Sequence, residues 1–84
     1  MDLNKRIIIK RMKYEIEKTE IGKEVTLSEE LYSIDITIYI KPTDNIAPVF
    51  TKVINVESNN NQTGFEVDQQ RADAVNEYLI LINI

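Results

Sequence analysis

Glu66 and Asp68 lie two residues apart, and Glu57 precedes them across an Asn-rich stretch. Carboxylate oxygens are the donors that Mg²⁺ and Ca²⁺ take, so this trio is the first place to look for a metal. The spacing argues against one. The twelve-residue pattern of a calcium-binding helix–loop–helix is absent, and no Gly sits where its sharp turn would need one. Near residues 34–41 there is also no Asp followed by the Glu-x-Lys triplet with which one class of nucleases holds its metal. These acids read as solvated surface carboxylates, and no metal or other cofactor is expected.

A second acidic group is Asp73 and Glu77, four residues apart, with Gln69 one helical turn before them and Asn76 beside them. On a helix, like charges at this spacing destabilise by about 0.2–0.5 kcal/mol. The only nearby cation is Arg71. The plain explanation is a solvated helix face. The functional one is an acidic, carboxamide-rich docking strip, presenting carboxylates where a partner carries basic side chains. Asp73, Glu77, Gln69, Asn76, Glu66 and Asp68 are therefore the candidate partner-binding residues. Tyr39 joins them as an aromatic anchor on the polar face of its strand.

Lys5, Arg6, Lys10, Arg11 and Lys13 form a basic run, five cations in nine residues with no acid among them. Phosphate recognition needs such a cluster, and single-strand binding adds interleaved aromatics, of which only Tyr14 is close. Lysines on an edge strand also discourage unwanted strand pairing, which is the simpler use. Residues 1–23 carry seven basic and four acidic residues, while 24–84 carry three basic and ten acidic ones. So acidic a remainder repels phosphates, and nucleic acid is a disfavoured partner. The same asymmetry suits head-to-tail self-association.

Much chemistry is absent by composition. The 84 residues contain no Cys, His or Trp, which excludes disulfides, thiolate or imidazole metal sites, and Ser–His or Cys–His nucleophiles. With only Gly22 and Gly64, no glycine-rich phosphate cradle can be built. An enzyme is not expected. Hydrophobic residues at 43 % and charged ones at 29 % describe a globular chain of one small domain, residues 1–84. A domain of this size buries roughly 60–65 % of its unfolded surface, so it needs good packing or a second copy to cover apolar area. The apolar run 7–9 is too short for a signal peptide and no stretch is long enough to span a bilayer, so the expected location is cytoplasmic, away from membranes.

The elements that position these residues follow from periodicity. Fourteen isoleucines and few chain breakers favour extended structure. Across residues 6–18, Ile8, Met12, Tyr14 and Ile16 share one face of a strand, with Lys13, Glu15 and Glu17 opposite. Residues 20–23 read as a turn on Gly22, 25–27 as a short return strand, and 28–30 as a loop or one capped helical turn. In 34–41, Ile34, Ile36, Ile38 and Ile40 alternate strictly with polar residues, until Pro42 ends the strand. Residues 49–56 form its antiparallel partner across a loop of six to eight residues. The polar stretch 58–64 reads as loop, and Asp68 as the cap of a helix over 69–81. A last strand over 78–84 competes with the end of that helix, because a continuous apolar run fits both.

The expected fold is α+β: a small antiparallel meander of three to five strands with one C-terminal helix packed on the sheet. The expected function is that of a small acidic, non-enzymatic binding protein, an inhibitor or adaptor that occupies the surface of a basic protein partner. In size and acidity the chain resembles small phage-encoded inhibitors of host enzymes, such as anti-CRISPR and DNA-mimic proteins, a likeness carried by composition and by no motif. Two alternatives stand beside it. One is a structural subunit of a larger assembly, for example of a phage, or a homodimer. The other is a nucleic-acid-binding module that uses the basic N-terminal strand.

Overall fold

The computed structural model describes residues 13–44 and 48–84. Three strands, β1 (Tyr14–Thr26), β2 (Leu31–Pro42) and β3 (Phe50–Asn59), precede one helix, α1 (Gly64–Ile82). The strands pair antiparallel in the order β1-β2-β3, a meander with α1 packed on one face. The α+β expectation is met.

The alternation in β2 organises the molecule. Ile34, Ile36, Ile38 and Ile40 face α1 at 5 %, 1 %, 0 % and 0 % exposure, and Val56 of β3 joins them. Ala74, Val75, Tyr78 and Ile82 of α1 close over this row, bordered by Tyr14, Ile16 and Ile54. Each isoleucine fully removed from water contributes about 1.5–3 kcal/mol, so a few side chains of the central strand supply much of the driving force. The other sheet face stays open, as one-sided antiparallel sheets allow. It carries Glu15, Lys18, Glu20, Asp35, Tyr39, Lys41 and Asn55, joined by an ion pair between Lys41 and Glu15 (3.3 Å) and a hydrogen bond from Asn55 to Asp35 (2.9 Å).

Several local expectations are corrected. Residues 20–23 form no turn: β1 runs unbroken through them for 13 residues, and Val25 and Thr26 are its last positions rather than a return strand. The irregularity that Gly22 announces is a break in register with β2 between Ile21 and Glu24, and a second break lies between Ile16 and Lys18. Gly22 has no left-handed φ. Its backbone runs close to β2: a Cβ there would lie 3.1 Å from the Asp35 carbonyl oxygen, tighter than an ordinary contact. Pairing along the whole of β2 outweighs the local turn preference.

The real reversal is at 27–30. Leu31 C=O accepts from the N–H groups of Leu27 (2.9 Å) and Ser28 (3.1 Å). Ser28 Oγ accepts from Glu30 (3.3 Å) and Leu31 (3.1 Å), so Ser28 closes a hairpin and caps no helical turn.

The helix starts five residues earlier than expected. Thr63 is the N-cap: its hydroxyl accepts from Glu66 N–H (3.1 Å) while Glu66 Oε1 accepts from Thr63 N–H (2.8 Å), a reciprocal capping box. Asp68 lies inside the helix and caps nothing. At the other end α1 continues to Ile82, which excludes the alternative last strand. The antiparallel pairing of β2 with β3 and the strand reading of 34–41 agree with expectation, while β3 runs on to Asn59, through the first two residues of the stretch read as loop. Of the basic run, Lys5, Arg6, Lys10 and Arg11 lie outside the described residues, as does the strand expected before residue 13, while Lys13 is exposed beside the start of β1.

Candidate functional site

Among the described residues, both outer strands of the three-stranded meander are edges. In β3 the outward groups can be read from the ladder. Asn60 N–H donates to Glu30 C=O (2.8 Å), continuing the register in which Leu31 faces Asn59. Antiparallel pairs alternate between bonded and non-bonded, so the β3 residues opposite Tyr32, Ile34, Ile36, Ile38 and Ile40 bond to β2. Thr51, Val53, Asn55 and Glu57 therefore turn their N–H and C=O groups away from the sheet. At Glu57 the helix uses this group: Gln70 Nε2 donates to Glu57 C=O at 2.6 Å.

Gln70 is a hub that the sequence reading missed. Its Oε1 also accepts from Ser58 Oγ (2.9 Å) and Gln62 Nε2 (3.3 Å), and Ser58 is buried. One carboxamide thus ties the first turns of α1 to the end of β3 and fixes which helix face overhangs the edge. That face follows helical spacing: Glu66, Gln69, Gln70, Asp73 and Glu77 lie along it.

Between this face and the β3 edge runs an open groove of about 730 Å³, lined by Asn55, Val56, Glu57, Phe65, Glu66, Gln69, Gln70, Asp73, Ala74 and Glu77. Four of these are carboxylates, three are carboxamides and none is basic. Gln69 Nε2 donates to Asp73 Oδ1 (2.9 Å), which orients one carboxylate, and Glu66 is occupied in its capping box. Among the described residues no cation stands within ion-pair distance of Glu57, Asp73 or Glu77. Phe65, 77 % exposed, forms an apolar rim.

The candidate residues are thereby divided. Glu66, Gln69, Asp73 and Glu77 come together, and Glu57 joins them from β3. Asn76 faces the other flank of the helix, in a smaller hollow of about 230 Å³ with Thr19, Ile21, Ile36, Arg71, Ala72 and Val75. Arg71 is thus turned away from the acids, its Nε buried without a hydrogen-bond partner. Asp68 is exposed and lines neither. Among the described residues no three acids are grouped so as to hold a metal ion.

Tyr39 sits on the open sheet face, across the sheet from α1. Its hydroxyl donates to Glu20 Oε1 at 2.6 Å, and Lys18 Nζ lies 4.6 Å from its ring centroid. The hydrogen bond to Glu20, then the charge of that carboxylate, hold the hydroxyl above its ordinary value of 10.0.

Among the described residues no helix is long and apolar enough to cross a membrane. Comparison of the chain with protein-family models, with curated proteins and with solved structures returns no match.

Proposed function

We propose that the chain is a non-enzymatic binding protein, an inhibitor or adaptor that engages a basic surface of a protein partner through the groove between β3 and α1. The observation that supports this reading is the composition of the groove, in which Glu57, Asp73 and Glu77 stand without a cation among the described residues. Like charges held together on a folded surface lower its stability unless something of opposite sign covers them, and a basic partner supplies that cover.

The test is a titration of a fluorescein-labelled basic peptide, a heptamer alternating lysine and threonine, followed by anisotropy at low and at moderate salt. The protein is expected to bind it with an affinity that falls as salt rises. The double variant Asp73→Lys/Glu77→Lys is expected to weaken binding roughly tenfold or more while leaving the circular dichroism spectrum unchanged. Equal affinities for the two proteins would overturn the reading.

A further inference from the structure

The two edges of the sheet are not equivalent. β1 breaks register twice against β2 and carries Lys18, Lys23, Glu17, Glu20 and Glu24, exposed charges and bulges of the kind that deter strand pairing. β3 keeps an unbroken ten-residue register with β2. Its Thr51, Val53 and Asn55 are exposed and direct outward N–H and C=O groups that pair with none of the described residues, up to Glu57, where Gln70 closes the edge.

We propose that β3 accepts an extended, lysine- or arginine-rich segment of a partner protein as a fourth strand. The proposal rests on the acidic-groove reading above and states how the partner engages it. Main-chain bonds to Thr51, Val53 and Asn55 would supply affinity independent of sequence, as in other strand-addition complexes. In such a strand alternate side chains point to the α1 side, where Asp73 and Glu77 overhang the edge. Charge complementarity therefore selects cations at every second position. Lys52, whose Nζ lies 5.7 Å from the Tyr78 ring centroid on that same side, repels them toward the Asn55 end of the edge.

The experiment uses the labelled lysine–threonine heptamer and two forms of it, one N-methylated at every threonine and one at every lysine. In an added strand only one alternate set of N–H groups faces β3. One methylated form is expected to lose roughly tenfold or more in affinity and the other to bind as the parent does. Val53→Pro in the protein removes an outward N–H that the β2 ladder does not use, a position where an edge strand tolerates proline, and is expected to weaken the parent peptide similarly.

Equal binding of all three peptides, or equal losses for both methylated forms, overturns strand addition. If binding is then still lost in Asp73→Lys/Glu77→Lys, the acidic-groove reading stands without it. If that variant also binds normally, both fall. A dimer seen by sedimentation that Val53→Pro dissociates would mean a second copy fills the edge, and overturns the proposal of a foreign segment.

Discussion

The side chain of Asn83 closes on the backbone of Tyr14 as a neighbouring strand would. Asn83 Oδ1 accepts from the N–H groups of Tyr14 (3.0 Å) and Lys13 (2.7 Å), and its Nδ2 donates to Tyr14 C=O (3.1 Å) and Leu79 C=O (2.8 Å). The residue that ends α1 thus also seals the first residue of β1 across 69 positions of chain.

Asn83→Ala removes all four bonds and leaves part-buried backbone groups of Tyr14 without partners. A loss of about 1–3 kcal/mol is expected from urea unfolding. Asn83→Asp keeps the acceptor but sets a carboxylate against two carbonyl oxygens, and is expected to be at least as destabilising at neutral pH. Wild-type stability in both variants would refute the bridging role.

Thr63→Ala is expected to cost about 1 kcal/mol, because the hydroxyl that receives Glu66 N–H disappears. Asp68→Ala, at the position that sequence spacing nominates as the cap, is expected to stay within about 0.5 kcal/mol of wild type. Thermal or urea unfolding of the pair separates the two assignments of the helix start.

The two glycines are expected to respond in opposite directions. Gly22→Ala brings a Cβ to 3.1 Å from the Asp35 carbonyl oxygen, inside a ladder that cannot easily give, and should destabilise by about 1 kcal/mol or more. At Gly64 nothing lies within 4 Å of a new Cβ, so Gly64→Ala should stabilise by about 0.4–1 kcal/mol through the unfolded chain.

Tyr39 is expected to ionise above 10 in the folded protein, and Glu20→Gln to bring it back toward 10. The sign of the stability effect follows. A hydroxyl whose folded value is raised contributes its stability below pH 10, and that contribution is lost as pH rises through the folded value. Ultraviolet titration of wild type against Tyr39→Phe isolates this tyrosine from the other three.

The sheet and the helix were readable because β2 alternates isoleucine with polar residues over a long stretch, and because Ala72, Val75 and Leu79 recur at helical spacing. The continuation of β1 through Gly22 was not, since a glycine followed by Lys23 and Glu24 looks locally like a turn and only the length of β2 shows otherwise. The helix start was in principle available: Thr63 followed three residues later by Glu66 is a capping-box signature, but the asparagines before it suggest a loop. At the site, helical spacing brought Gln69, Asp73 and Glu77 together. The entry of Glu57 and Asn55, and the departure of Arg71, depend on where α1 lands on the sheet. That landing joins apolar packing on the isoleucine row to the Gln70 and Asn83 bonds, contacts that link distant stretches and leave no local pattern.

Every contact from β1 to β3 and on to the start of α1 joins neighbours along the chain, through hairpins and a four-residue link before Gly64. Only the seam between α1 and β1, with Asn83 at its end, joins the two extremes of the described chain. The seam is therefore the last part to close during folding and the first to open in the native protein. Amide exchange should show it: the protons of Tyr14 and Ile16 leave by partial opening of that seam, while those of Ile36 and Ile38 wait for the whole molecule to unfold.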